Sequence, residues 1–277
     1  MNLQAGDNVL RSRVVLPVVA LYNAWQAEGL PELHRALYTQ IDFDSTAIAE
    51  GDLNDALALF QSGWTTLERL GLARGRNVHP DLGRSLRLIA EAGTEYWAFF
   101  NQGDEEARSA LVAVSGDDAI RVVLTADKHF VLEPVRAEDA PQSLVAVLPE
   151  VGPGKGPLIS LPVDALQPKP RHAREEEGSF LQQNRYATSP QEQQTIALKK
   201  LLAEKRLGGG QLYAARRNHL GKKVRCPKPL TFFDTVGGRY LQYQVSSNGL
   251  PWNTVQPADF GTMTARLGML PSTIPNV

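Results

Sequence analysis

The sequence predicts an α+β protein made of two similar halves, each an antiparallel meander accompanied by helices. Three observations carry this. Extended runs TEYWAFF (94–100), SALVAV (109–114), AIRVVLT (119–125) and HFVLEPV (129–135) follow one another across short polar turns. A second series, from the three glycines at 208–210 to Val245, contains QLYAARR, LTFFDT and RYLQYQV, with a Gly-Gly turn before the last. In that last run Leu241, Tyr243 and Val245 alternate with Tyr240, Gln242 and Gln244, which is the period of a strand with two different faces. Finally, VVLPVVALYNA (14–24) matches LISLPVDALQP (158–168), and in both halves a glycine-led meander follows helical sequence.

In chain order, 1–12 are polar and 13–16 read as a short strand. Pro17 opens a helix that Gly29 ends, because proline suits a first helical position. A short helical piece is expected over 31–38, then a loop to 51. Asp52 is an N-cap candidate for a helix with Leu53, Ala56, Leu57, Phe60, Trp64 and Leu67 at helical spacing, kinked at Gly63. A second helix runs from Pro80 to Ala92, and a short one covers 139–148. PEVGPGKGP (149–157) has linker composition, and 167–178 is Pro-rich and charged. Proteolysis is expected first near Lys169–Arg174. Ser189, Pro190 and Glu192 form a capping box, with Gly208 as the helix stop. WNTV reads as a strand and 257–270 as a closing helix. The domain reading is one domain over 1–277, with pseudo-repeats at 14–148 and 158–270.

Composition excludes several classes. The 277 residues are 43% hydrophobic and 21% charged, with net charge −1, so no global pull toward nucleic acid or membrane is expected. The lone Cys226 cannot form an internal disulfide, and MNLQAGDNVLRSR lacks the apolar core of a signal peptide, which suits a cytoplasmic setting. No run reaches the roughly 18 apolar residues of a membrane helix. The five histidines have no metal-ligand spacing, and no GK[ST], GxSxG or HExxH motif occurs. No catalytic residue, metal site or cofactor is predicted. Asp234 reads as a turn residue.

Taken together, GGGQLY, the NHLGKKVR turn, the FFDT run and GGRY resemble, in order and spacing, the C-terminal half of the EspG family. These are cytosolic chaperones of the type VII (ESX) secretion systems of actinobacteria, and the resemblance extends upstream to Leu16. It implies a central antiparallel sheet with two helical bundles and approximate two-fold symmetry. It also implies a non-enzymatic adaptor, a monomer or weak homodimer. Such an adaptor binds a PE–PPE-like or related WXG-type heterodimer, keeps it soluble and targets it for secretion. In that family the substrate meets the loop between the second and third strands, the sheet, and the C-terminal helices. Here the loop contributes Asn101, Gln102, Asp104 and Glu105. On the sheet, the face with Gln211, Tyr213, Tyr240, Gln242 and Gln244 mixes aromatics with uncharged amides, which suits intermittent contact with a polypeptide.

The competing reading is a nucleic-acid-binding regulator. Residues 64–92 could form a helix-turn-helix, with only Arg84 and Arg87 on the polar side of its second helix. The run Arg216, Arg217, Lys222, Lys223, Arg225, Lys228 reads first as a solvated hairpin end.

Overall fold

A computed structural model describes residues 10–38, 53–103, 106–163 and 189–275. One antiparallel sheet of eleven strands organises the chain. Its strands are β1 (Val14–Pro17), β4 (Thr94–Gln102), β5 (Arg108–Ser115), β6 (Asp118–Leu124), β7 (His129–Arg136), β8 (Ile159–Pro162), β9 (Arg206–Arg217), β10 (Lys223–Arg225), β11 (Leu230–Thr235), β12 (Gly238–Ser247) and β13 (Leu250–Pro257). A separate hairpin pairs β2 (Ala73–Arg74) with β3 (Asn77–Val78). The order across the sheet is β1-β7-β6-β5-β4-β9-β11-β12-β13-β8, with β10 extending alongside β9. Read outward from the β4–β9 pair, both directions give a four-strand meander closed by the short strand that precedes it in sequence. The central pair puts Ala98 opposite Leu212. Both sheet edges are four-residue strands ending in proline, which discourages a further strand from adding.

The helices are α1 (Val18–Ala27), α2 (Leu53–Arg69), α3 (Pro80–Glu91), α4 (Ala140–Val145), α5 (Pro190–Leu202) and α6 (Phe260–Met269). Strand alternation gives the sheet two faces. On the front, α1 packs on β1 and β7, α3 packs on β5 and β6, and α1 crosses α2. Also on the front, α5 covers the outer strands of the other half, burying Leu198 and Leu201 with Phe233, Tyr240 and Val255. On the back, α4 lies on β4, β5 and β6, while α6 lies against α4 and β9. The capping box at α5 is complete: Glu192 N donates to Ser189 Oγ, and Ser189 N donates to Glu192 Oε2.

Four local expectations are corrected. Residues 31–38 are turns, not helix: Trp25 Nε1 donates to the Pro31 carbonyl, Ser109 Oγ to the Ala36 carbonyl, and Ala36 N to His34 Nδ1. Those contacts take groups that a helix would have paired along its own axis. Gly63 lies inside an unbroken α2, where a Cβ would come within 2.6 Å of Asn23 Nδ2 and 3.2 Å of Ala20 N. It is a close-crossing point between helices. The 208–210 glycines lie within β9, paired with Phe100–Gln102 of β4 and Phe232–Asp234 of β11, whose backbones come so close that a Cβ would clash. The 152–156 linker is packed: Tyr240 Oη donates to the Lys155 carbonyl and accepts from Lys155 N, and Pro153 bridges to Arg239. The capping candidate Asp52 and the segment 167–178 lie outside the described residues.

Candidate functional site

The front of the sheet is covered by helices at both sides but not along its middle. Phe99, Thr231 and Gln242 are half-buried there, and Asn101 and Gln211 are exposed. Register explains the strip: Phe99 sits opposite Gln211, Gln211 opposite Thr231, and Thr231 opposite Gln242, so one row crosses four strands on one face. The five sheet residues expected to share a face do share it. Gln211 and Gln244 are exposed and Gln242 half-buried, whereas Tyr213 is 8% and Tyr240 4% exposed. Asn101 and Gln102, at the end of β4, are exposed. Asp104 and Glu105 lie outside the described residues.

The two tyrosines form the floor of this face rather than its surface. Tyr213 stacks on Trp97 with ring centroids 5.2 Å apart, and its hydroxyl donates to Gln211 Oε1. Tyr240 stacks on Phe233 at 5.5 Å. Arg35 lies over both Phe99 and Tyr213, Arg225 over Tyr213, and Arg206 over Phe233. Phe99, Arg35 and Arg206 escaped the sequence reading. No local signal marks them, since each contact joins positions far apart in the chain or set only by strand register.

Beside the strip lies a buried charged group. Glu95, 1% exposed, accepts an ion pair from Lys223 Nζ at 2.6 Å and faces His34 Nε2 at 3.5 Å. Burial raises the Glu95 carboxyl, opposed by its hydrogen bond to Lys223. Burial first, then the charges of Lys223 and Arg35, lowers the His34 imidazole to about 3. Folded His34 is therefore neutral at pH 7, and the unfolded chain binds the extra proton between pH 6.5 and 3. The sign follows: the His34 contribution is complete above pH 6.5 and is lost as pH falls toward 3, at up to about 1.4 kcal/mol per pH unit. Glu95 opposes it, gaining stability when it protonates. Urea midpoints should show wild type losing about 2 kcal/mol relative to His34→Asn between pH 7 and 5. A difference independent of pH would refute a neutral buried imidazole.

The basic run is largely occupied within the chain. Arg217 donates to the carbonyls of Ala90, Glu91 and Ala92 at the end of α3, where the helix dipole favours a cation. Arg216 donates to the Ile274 carbonyl. The helix-turn-helix reading fails on geometry: a β2–β3 hairpin separates the two helices. Leu82, Leu86 and Ile89 of α3 are buried, Arg84 bonds Asp81, and Arg87 bonds Glu28. Asp234 is not a turn residue but half of a buried pair with Arg239, at 2.7 and 2.8 Å.

Elsewhere, a groove of about 890 Å³ opens between α1 and α2, walled by Tyr22, Leu57, Phe60 and Trp64 with Arg76 at its rim. Among the described residues its lining has no carboxylate, imidazole or thiol. Cys226 is buried, which pushes its thiol up. Among the described residues no cluster of three or more His, Cys, Asp or Glu could hold a metal ion, and no helix is long and apolar enough to cross a membrane.

No curated protein sequence matches the chain. Among solved structures, the chain is similar to the Mycobacterium tuberculosis type VII secretion system chaperone EspG5, determined in complex with a PE25-PPE41 dimer. The TM-score is 0.65 at 12% identity, covering 95% of this chain and 97% of that one, so the likeness is one of fold. The model of the EspG family matches residues 17–268, from the end of β1 almost to the end of α6. The chain belongs to the EspG family.

Proposed function

We propose that the protein is a non-enzymatic, cytoplasmic chaperone that binds a PE–PPE-like heterodimer, keeps it soluble and presents it to a type VII secretion system. The observation that carries this reading is the family match across nearly the whole fold. The EspG5 complex with a PE25-PPE41 dimer supports the class of partner. The physical need is plain: a partner with an exposed apolar surface self-associates unless that surface is covered. Release at the secretion machinery calls for an interface of about 1,600 Å² total, not an obligate one.

The contact surface in this proposal is the front strip. Asn101, Gln102, Gln211, Gln242 and Gln244 make the contact, with the neighbouring loop residues Asp104 and Glu105, and Tyr213 and Tyr240 set its shape from below. The full chain, co-expressed with PE–PPE-type heterodimers of the same genome, should co-purify with one of them. Asn101→Ala combined with Gln244→Ala should weaken that complex about tenfold without moving Tm, since each lost hydrogen bond is worth about 0.5–1.5 kcal/mol. Tyr213→Ala and Tyr240→Ala should lower Tm as well. If the wild-type chain retains no heterodimer, the chaperone reading fails. If the amide variants bind normally, the surface lies elsewhere.

The halves 14–148 and 158–270 are, we propose, two copies of one unit. The strand order, identical when read outward from β4 and from β9, supports this. Superposing 94–125 on 209–245 tests it; failure of the strands to align in order would reject the repeat.

A further inference from the structure

Three arginines gather over aromatic rings of the front face, and their placement bears on what lies against it. The Arg35 guanidinium carbon is 5.3 Å from the Phe99 ring centroid and 5.7 Å from that of Tyr213. Arg225 approaches the same Tyr213 ring at 5.6 Å. Further along the strip, Arg206 lies 3.4 Å over the Phe233 centroid. Cation–π attraction to a ring holds a guanidinium in place without using its N–H donors, which remain available to an acceptor. Among the described residues, none of the three has a carboxylate within ion-pair distance. Arg216, Arg217 and Arg239, by contrast, are hydrogen-bonded to carbonyls or a carboxylate within the chain. Of the nearby acids, Glu95 is buried and committed to Lys223, and Glu204 acts on Arg206 only from beyond ion-pair distance.

A second observation points the same way. Gln211 Oε1 accepts from the Tyr213 hydroxyl, so the part of the Gln211 amide left to face the strip is its NH₂, a donor. Between Arg35 and Arg206 the strip therefore offers cations and an amide donor over an aromatic floor.

We propose that this strip reads carboxylates: an acidic segment of the bound partner sets one Asp or Glu between Arg35 and Arg225 and a second against Arg206, while its apolar side chains rest on Phe99. The proposal rests on the chaperone reading for where the partner docks, and adds the chemistry that the docking segment must carry. Arginine held in this way favours carboxylate because its planar fork pairs with both oxygens, and a guanidinium sheds its hydration more readily than an ammonium. Three cations on a strip bounded by helices are too few to follow a nucleic-acid backbone.

The test uses the full chain and fluorescence anisotropy with three probes. One is a short labelled amphipathic peptide in which glutamates flank leucines; another has the same sequence with lysines for the glutamates; the last is a duplex DNA. The glutamate peptide should bind, weaken as salt rises, and lose about tenfold in affinity in the Arg35→Gln, Arg225→Gln double variant at unchanged Tm. The lysine peptide and the duplex should not bind comparably. Equal binding of the two peptides, preferential binding of the duplex, no binding of the glutamate peptide, or indifference to the double variant would each overturn the proposal. Heterodimer capture separates the two readings. A chain that binds the glutamate peptide but captures no heterodimer keeps the carboxylate site and loses the chaperone function. Capture unaffected by the double variant keeps the function and loses the site.

Discussion

Replacing Gly210 by alanine should cost about 3 kcal/mol, a loss large enough to remove much of a typical domain's stability margin. Gly210 pairs with Phe100 on one side and Phe232 on the other, in the three strands at the centre of the sheet. A Cβ there would lie 2.4 Å from the Phe99 carbonyl oxygen, 2.8 Å from Phe100 Cβ and 2.8 Å from Phe232 Cε1. The first obstacle is backbone and the second is next to it, so no change of rotamer relieves the contact. The strands would have to separate where the two halves join. A matched control is Gly93→Ala, whose Cβ would have Val114 O at 3.8 Å as its nearest neighbour. It should be neutral or slightly stabilising, through lower entropy of the unfolded chain. Chemical unfolding of both variants decides the matter. Equal midpoints would mean that the central strands are looser than the geometry states.

Asp234→Ala should destabilise by about 3–5 kcal/mol, because it leaves the Arg239 guanidinium buried and unpaired. Both residues are 5% exposed, and the pair is bidentate across the β11–β12 hairpin at 2.7 and 2.8 Å. Arg239 also lies 4.7 Å from the Phe232 ring centroid, so its charge faces an apolar neighbour. Replacing both, as Asp234→Leu with Arg239→Met, should recover most of the loss, since desolvating two charges offsets most of their attraction. The double-mutant cycle therefore separates the cost of an orphaned charge from the worth of the pair. A single variant that unfolds at the wild-type midpoint would show that water reaches Arg239.

Most strands were legible in the sequence because alternation and turn residues are local signals. The meander at 94–136 has its boundaries within two residues of those expected, and the capping box at Ser189 is self-contained within four residues. What misled was local sequence whose partners are distant. The three glycines look like a helix stop, yet they belong to β9 because they pair with β4 on one side and β11 on the other. Asp234 beside a Gly-Gly turn looks like a turn residue, yet its partner Arg239 is five positions on, across a hairpin. The amide-and-tyrosine face was found by its period of two, but period alone cannot show which members another layer covers.

By itself, then, the sequence determined the α+β class, the two meanders, the shared face of Gln211, Tyr213, Tyr240, Gln242 and Gln244, and the resemblance that the family match bears out. Only the tertiary structure decided that α5 and the 152–156 segment cover Tyr240, that Trp97 and two arginines enclose Tyr213, and that Gln211 and Gln244 remain in solvent while Gln242 is half-buried. The reason is physical. Which way a side chain points is set by the backbone it sits on, whereas its burial depends on which distant segment settles over it, and that choice belongs to the packing of the whole chain.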